Sequence, residues 1–310
     1  MILVVGATGL LGGEICRQLS AAGHPVRALV RPTSDEGRVE NLRVLGAELV
    51  TGDLKERASL DAACAGAEVV ITTASTTLSR QPDDSIASVD QDGQLRLIEA
   101  AKASGVSRFI YISYSGNHAI ECALTTAKRT VEQALRESGM TYTILRPSYF
   151  MEVWLSPALG FDTANAQARV YGAGRAPISY ISFKDVARFV VRCLTTPAAR
   201  NATIELGGPE ALSPLDVVQT FERSTGRTFA LEHVPEGVLE LQHQSARDPL
   251  EQSFAALMLG YARGDVIDMS QTSAAFPVQL TSVREFAEVT SGRSPSLGTS
   301  RAAEGAPTRM

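Results

Sequence analysis

The chain has 310 residues, of which 44% are hydrophobic and 20% are charged, a composition typical of a soluble globular protein with a sizeable core. Its formal net charge of −5 leaves no broad basic surface to neutralise a phosphate backbone, so nucleic acid is excluded as a main partner. No run of residues is apolar and long enough to span a bilayer, and Met1 leads directly into an apolar run without the basic segment of a secretion signal. We therefore expect a cytoplasmic protein with no membrane partner.

The first half of the chain alternates short apolar runs with amphipathic segments. The apolar runs predict strands at residues 2–6, 25–30, 47–50, 68–73, 108–113 and 141–147. Apolar residues spaced three and four apart predict helices at residues 9–22, 37–45, 58–64, 84–104 and 122–138. Strands that alternate with helices form βαβ units, so we predict an α/β fold with a Rossmann-type, doubly wound parallel sheet.

After Pro147 this rhythm weakens. An aromatic loop at 149–154 is followed by predicted strands at 168–172 and 202–206 and by predicted helices at 184–194, 213–223, 237–260 and 282–290. We interpret residues 1–150 as a dinucleotide-binding domain. Residues 151–290 are interpreted as a smaller C-terminal substrate lobe that closes over the carboxyl edge of the sheet and shares some strands and helices with the core. Residues 291–310 are rich in Ser, Gly, Arg, Pro and Ala, which predicts a disordered tail.

The first motif is GATGLLG at residues 6–12, directly after an apolar strand and at the start of a helix. Glycines permit a tight turn and close approach of the backbone to a pyrophosphate, and the helix N-terminus supplies amide donors. Because strand, turn and helix occur together, dinucleotide binding is favoured over a purely structural turn. The residues assigned to the cofactor here are Gly6, Thr8, Gly9, Leu10, Leu11 and Gly12.

About twenty residues after this turn, where an acidic side chain would accept a hydrogen bond from the ribose of NAD, the chain has Arg31. An arginine suits the 2′-phosphate of NADP, so NADP is favoured. NAD is the alternative, since Asp35 and Glu36 are close enough to face a ribose. Asp53 either approaches the adenine or caps the next helix. The assigned cofactor contacts are completed by Leu54, Ala74, Lys128 and Pro147.

Reduction of a carbonyl needs donors that stabilise the developing negative charge and an acid that delivers a proton. Ser113 at the end of the fifth strand and Lys128 on the next helix are our candidates, because the carboxyl ends of strands four to six surround a bound nicotinamide. His118 is a third candidate for the acid, against the alternative of a surface or structural histidine. Aromatic side chains either form a wall against a flat substrate or simply pack the lobe onto the sheet; they are Tyr114, Tyr149, Phe150 and Trp154.

No metal site or disulfide is predicted, because no CxxC pair occurs among Cys16, Cys64, Cys122 and Cys193. The motifs GATGLLG, VRALVRP, TGDL, FIYIS and YTILRPSYFME, together with the lysine helix, resemble the atypical short-chain dehydrogenase/reductases. The closest resemblance is to the NmrA-like, isoflavone-reductase-like and quinone-reductase-like branches, and it covers residues 1 to about 235. It implies a Rossmann domain that binds NAD(P), with substrate held between the sheet edge and the C-terminal lobe.

One position departs from the usual Ser-Tyr-Lys pattern of short-chain dehydrogenases. The tyrosine that stands four residues before the lysine is replaced here by Leu124, which cannot donate a proton. The resemblance to branches that lack this tyrosine implies that Lys128 binds the nicotinamide ribose or assists protonation directly.

Three functions remain open at this stage. The favoured one is an NADPH-dependent reductase of an aromatic, quinone-like or enone small molecule. The second is a non-catalytic, NmrA-like dinucleotide sensor that binds a partner protein, and the third is the reductase component of an aromatic polyketide hydroxylation step. The sequence leaves open whether the chain forms a homodimer.

Overall fold

The computed structural model describes residues 1–78 and 81–292. Most of the predicted disordered tail therefore lies outside the described residues. The strands are β1 (Ile2–Val5), β2 (Val26–Val30), β3 (Glu48–Thr51), β4 (Val69–Thr72), β5 (Arg108–Ile112), β6 (Thr141–Pro147), β7 (Phe161–Asp162), β8 (Gln167–Tyr171), β9 (Ala202–Leu206) and β10 (Ala230–Val234). The helices are α1 (Leu10–Ala21), α2 (Glu36–Val44), α3 (Arg57–Cys64), α4 (Asp92–Ala103), α5 (Ala123–Glu137), α6 (Met151–Trp154), α7 (Phe183–Cys193), α8 (Pro214–Thr225), α9 (Glu236–Ser245), α10 (Pro249–Arg263), α11 (Ser270–Ala275) and α12 (Val283–Thr290).

The main sheet has seven strands within the described residues, in the order β3-β2-β1-β4-β5-β6-β9, and every neighbouring pair is parallel. Helices α1, α2 and α7 pack on one face, and α3, α4 and α5 pack on the other. The predicted doubly wound, Rossmann-type architecture is therefore confirmed.

Burial on both faces explains why strands such as β1 are continuously apolar rather than alternating. In β1, Ile2 and Val4 join the core under α1 and α7, whereas Leu3 and Val5 join the core under α3, α4 and α5. Successive side chains of a strand point to opposite faces, so one four-residue segment contributes to two separate cores.

The C-terminal part of the chain forms a second sheet and also contributes a strand to the main sheet and a helix that packs on it. A second, mixed sheet has the order β10-β8-β7, and its own apolar core includes Phe161, Phe221 and Tyr261. Strand β9 pairs with β6 in the main sheet, and α7 packs against α1. The placement of a domain boundary at residue 150 stays a prediction. None of the described helices is both long enough and apolar enough to cross a bilayer.

The predicted helix at 237–260 is wrong, because α9 ends at Ser245 and α10 begins at Pro249. The Asp248 carboxylate accepts hydrogen bonds from the backbone N–H groups of Leu250 and Glu251, which makes it the N-cap of α10 with a proline in the first turn. The prediction of a loop at 149–154 is also wrong in part, since α6 begins at Met151. Sequence analysis missed β7, β10 and α11 altogether.

Candidate active site

A cleft of about 540 Å³ runs along the carboxyl edge of the main sheet, between the sheet and the C-terminal lobe. All of the residues that the sequence assigned to cofactor, catalysis or substrate line this cleft, except Gly12. Strands of a parallel sheet end at the same edge, and this edge is where open α/β sheets bind their ligands. The cleft thus brings the assigned residues into one continuous space, although their individual roles stay predictions.

At one end of the cleft, the glycine turn leads from β1 into α1. Gly6 adopts a φ of +82°, which disfavours any side chain, and the Gly9 N–H donates to the Gly6 carbonyl at 3.0 Å. Gly12 lies directly beneath the turn, where a Cβ atom would come within 2.1 Å of the Gly6 oxygen. Helix α1 has no side-chain cap, so its first N–H groups are free to bind an anion. The turn therefore fits a pyrophosphate.

Beside the turn, the site assigned to the 2′-phosphate contains more charge than the sequence suggested. Arg31 Nη1 donates to Asp84 Oδ2 at 2.7 Å, and Lys55 Nζ donates to Asp84 Oδ1 at 2.7 Å. Burial raises the pKa of Asp84, but donors from Gln81, Lys55 and Arg31 outweigh it and hold this pKa below the usual value. Arg31 therefore faces the cleft already paired with an internal carboxylate.

Hydrogen bonds bear on two alternatives left open by the sequence: whether Asp35 faces a ribose, and whether Asp53 caps the next helix. Asp35 caps α2 by accepting from the Arg38 N–H at 2.9 Å, so its carboxylate is already engaged. Asp53 does not cap the next helix, since α3 begins after Glu56, and it instead accepts from the Lys55 N–H at 2.8 Å. Arg38, which sequence reasoning missed, also lines the cleft and donates to the Thr8 carbonyl at 3.0 Å.

At the other end of the cleft, Lys128 projects from α5. Its side chain is almost fully buried, with Nζ 3.7 Å from Asp90 Oδ1 and 5.2 Å from the centre of the Tyr111 ring. Burial lowers the pKa of Lys128, while the nearby Asp90 and Glu132 carboxylates oppose that shift. Leu124 is also buried, one turn earlier on α5. It places an apolar side chain at the position where the usual short-chain dehydrogenase has its proton-donating tyrosine.

Ser113 lines the cleft, but its hydroxyl is already engaged. The Ser113 Oγ donates to Glu132 Oε1 at 2.7 Å. Burial raises the pKa of Glu132, yet hydrogen bonds from Arg146 and Ser113 and the charge of Arg129 lower it to about 2. Because the Ser113 hydrogen is committed to this carboxylate, Ser113 is less able than Lys128 to donate to a substrate.

His118 is largely buried rather than a surface residue. Its Nδ1 lies 3.4 Å from the Tyr149 hydroxyl, and its ring meets the Tyr114 and Tyr149 rings edge-on at 4.9 and 5.1 Å. Burial lowers the pKa of His118, Asp265 raises it and Arg129 lowers it. The net shift of this pKa is downward and favours the neutral imidazole, which is a poor proton donor.

The aromatic residues pack the lobe and line the cleft at the same time. The Trp154 ring stacks on Tyr261 with centroids 4.4 Å apart and planes 10° apart, and Tyr149 meets Trp154 edge-on at 4.6 Å. On the lobe side, α10 adds Phe254 and Met258 to the lining. The end of the cleft that contains Lys128, called the reaction end below, is consequently flat-sided and mainly apolar.

Sequence analysis missed Asp265, whose carboxylate binds three polar side chains near this end of the cleft, among them Ser148, which lines it. Its buried carboxylate accepts from Ser115 Oγ at 2.8 Å, Asn117 Nδ2 at 2.7 Å and Ser148 Oγ at 2.7 Å. These donors lie after β5 and β6, more than a hundred residues before Asp265 in the chain. No local pattern marks such a partner, so only the fold reveals it.

Comparison with known proteins places these features in context. The NmrA-like family matches residues 1–287 of the chain. The (4-alkanoyl-5-oxo-2,5-dihydrofuran-3-yl)methyl phosphate reductase of Streptomyces griseus subsp. griseus is 34% identical over 238 residues, covering 76% of this chain and 77% of that protein. The NAD(P)H azoreductase of Xenophilus azovorans is 29% identical over 309 residues, covering 96% and 99% of the two chains.

Other similar proteins differ in their described roles. The photosystem II assembly factor Ycf39 of Cyanophora paradoxa is 32% identical over 247 residues, covering 79% of this chain and 75% of that protein. Among solved structures, the NADPH complex of the quinone oxidoreductase QOR2 from Escherichia coli superposes with a TM-score of 0.76 at 23% identity, covering 94% of this chain and 99% of that one. That structural similarity bears on the fold.

Proposed function

This chain belongs to the NmrA-like family, whose NAD(P)H-dependent reductases are among its relatives, and on that premise we propose that it reduces a neutral aromatic, quinone-like or enone molecule by hydride transfer from NADPH. The observation that carries the proposal is the single cleft that joins the glycine turn to Lys128 and the aromatic residues. A dinucleotide whose pyrophosphate lies on the turn would extend along this cleft, which also contains Lys128.

The cofactor end favours NADPH. Helix α1 presents its uncapped N-terminus to the pyrophosphate, and Arg31 and Arg38 supply positive charge beside the ribose. When bound, the reduced nicotinamide supplies the hydride. The residues of this chain then hold the cofactor, exclude water and stabilise the charge that develops on the substrate.

The reaction end favours a neutral, flat substrate. Lys128 is the only lysine or arginine that lines this end among the described residues. The Glu152 carboxylate is engaged by Ser182 and by the Phe183 N–H. One buried lysine, already beside a carboxylate, is too little charge for a phosphorylated substrate, whereas the Tyr149 and Trp154 rings suit an aromatic one.

Lys128 is the group that the geometry favours for the chemical step. Hydride arrival at a conjugated carbonyl leaves negative charge on the oxygen, and an ammonium group held in an apolar site stabilises that charge strongly. The same ammonium has a proton to deliver to the oxygen. Leu124 and neutral His118 leave no stronger proton donor among the residues assigned to catalysis.

The experiment that tests the proposal compares Lys128→Met with Lys102→Met, which removes an exposed lysine of α4 away from the cleft. Purified proteins receive NADPH and a panel of neutral quinones, enones and azo compounds, and loss of the reduced-nicotinamide absorbance is followed. We expect turnover by the native protein and Lys102→Met, and a loss of roughly 10²-fold or more in kcat/KM for Lys128→Met. Tight NADPH binding without turnover of any acceptor would contradict the proposal and favour a non-catalytic sensor.

A further inference from the structure

A buried lysine needs a partner to remain charged. Lys128 is 4% exposed, and removal of an ammonium group from water favours its neutral form. Among the described residues, Asp90 is the only carboxylate whose oxygen lies within 4 Å of Lys128 Nζ. Glu132 and Arg129, both on α5, face Lys128 with opposite charges, and the Tyr111 ring of β5 covers it from another side. Asp90 is therefore the nearest negative charge that can stabilise the Lys128 ammonium.

The Asp90 carboxylate is held in a fixed orientation. It is completely buried, and its Oδ2 accepts two hydrogen bonds from Thr76, from the backbone N–H at 3.0 Å and from the hydroxyl at 2.6 Å. Its Oδ1, which faces Lys128, has no hydrogen-bond partner among the described residues. A separation of 3.7 Å exceeds hydrogen-bond distance, so the pair is a charge contact that leaves the ammonium hydrogens available to the cleft.

The backbone that carries Asp90 is unusual. Residues Ile86–Gln91 form a π-helical turn directly before α4. Such turns are rare and occur frequently at functional sites, because the wider turn redirects a side chain. Gly93 allows this segment to lie against the cleft, since a Cβ atom there would come within 2.8 Å of the Leu54 Cβ. The π-helical turn and Gly93 together determine the position of the Asp90 backbone.

We propose that Asp90 is a positioning residue that keeps the Lys128 amine charged and directed into the cleft, so that Lys128 presents to the substrate oxygen an ammonium group that can stabilise negative charge and deliver a proton. This inference rests on the proposed function, because it assigns the origin of the charge that the reduction step uses. It adds a residue that the sequence did not single out.

The effect of removing the Asp90 charge has a definite sign. In Asp90→Asn the shape of the side chain is kept, but burial acts on Lys128 with less opposition. The pKa of Lys128 then falls further, and the ammonium is lost at a lower pH than in the native protein. We expect a downward displacement of roughly 1 to 3 pH units.

The chain contains only four lysines, at positions 55, 102, 128 and 184, which makes a direct measurement feasible. Protein labelled with ¹³C at the lysine ε-carbon is titrated by NMR without substrate, and Lys128→Met assigns the Lys128 signal. We expect Lys128 to be charged at neutral pH in the native protein and to titrate at lower pH in Asp90→Asn, while the other three signals stay unchanged. A Lys128 signal that titrates identically in both proteins, or that is already neutral in the native protein at neutral pH, overturns the inference.

A matched control separates this effect from general destabilisation. Asp185 is also fully buried and ion-paired, but its partner is Arg188, and its helix α7 packs on the opposite face of the main sheet from α5, which carries Lys128. Asp185→Asn should lower stability without moving the Lys128 titration. If Asp90→Asn does not fold, Asp90→Ser serves instead: it also removes the charge and keeps a hydroxyl next to Thr76, so a downward displacement is expected, whereas an unchanged titration contradicts the inference.

The pH profile of kcat/KM provides the second readout. Where turnover is observed, its alkaline limb should move to lower pH in Asp90→Asn, because the active form carries a charged lysine. Since the NMR titration requires no turnover, a protein that reduces nothing would disprove the proposed function while leaving the Asp90–Lys128 inference testable. A merely structural ion pair would change stability and leave the alkaline limb where it is.

Discussion

The two ends of the cleft are built in different ways. At the end assigned to the cofactor, one continuous segment from Gly6 to Leu11 supplies both the turn and the helix N-terminus, so we expect backbone groups to bind the pyrophosphate. At the reaction end, Asp90, Lys128, Tyr149 and Asp265 come from four separate parts of the chain, and side chains do the work. We therefore propose that cofactor binding depends on local backbone geometry, whereas the chemical step depends on side chains that long-range packing brings together.

The largest effect is expected at the cofactor end, from Gly12→Ala. The added methyl group would lie 2.1 Å from the Gly6 oxygen and 2.7 Å from the Gly6 carbon, so the turn itself must move. We expect NADPH affinity to fall by roughly 100-fold or more, together with about 1–3 kcal/mol of stability. Calorimetric titration and thermal unfolding measure the two losses.

Gly13→Ala is the matched control for this change. A Cβ atom at Gly13 would lie 3.4 Å from the Ala7 carbonyl, and alanine favours the helix by roughly 0.5–1 kcal/mol. Near-native NADPH binding is therefore expected. Equal losses in the two variants would break the comparison, because binding would then not depend on the close approach beneath the turn.

The charged groups beside the glycine turn are expected to set the preference for NADPH over NADH. Arg31→Ala should weaken NADPH by roughly 10- to 100-fold and leave NADH unchanged, because only NADPH has a 2′-phosphate to receive a charged hydrogen bond. Asp84→Asn should act in the opposite direction, since it removes the carboxylate that pairs with Arg31 and Lys55. Both affinities are measured by fluorescence titration. Parallel changes for NADPH and NADH would remove Arg31 from the 2′-phosphate site.

The smallest effect is expected from His118→Gln at the reaction end. Burial lowers the pKa of His118, which favours the neutral imidazole, and the remaining N–H of a neutral imidazole is a weak acid. We expect kcat to fall by far less than the roughly 10²-fold typical of a lost general acid, with no new limb in the pH–rate profile near neutrality. A loss of that full size would make His118 the proton donor in place of Lys128.

Much of the fold could be predicted from the sequence because its signals are local. Strands β1, β4 and β5 are buried along their whole length and appear in the sequence as short runs that are mainly apolar, and the glycine turn is a contiguous motif. The prediction of one helix at 237–260 was wrong, although the sequence contains a local signal for the break: Asp248 and Pro249 form the N-cap and first residue of α10. The short strand β7 has two residues and no periodicity to detect.

The candidate site was predictable only where single motifs carried it. Lys128 and the aromatic residues after β6 were predicted from their positions near the carboxyl ends of the strands, and the resemblance to known reductases added a role for Lys128. Asp90 and Asp265 could not be found in this way, because their partners Lys128 and Ser148 lie 38 and 117 positions away in the chain. A carboxylate becomes a candidate only when folding removes it from water and places it beside a specific donor or cation.

The central claim is that one cleft binds NADPH at one end and directs its hydride to a substrate at the other. The most direct measurement is single-turnover mixing of the protein–NADPH complex with excess acceptor, using NADPH that carries deuterium at either face of nicotinamide C4. We expect the reduced-nicotinamide absorbance to decay, with a primary isotope effect for one of the two faces. An absorbance that stays constant with every neutral acceptor, in a complex that binds NADPH tightly, would contradict the claim.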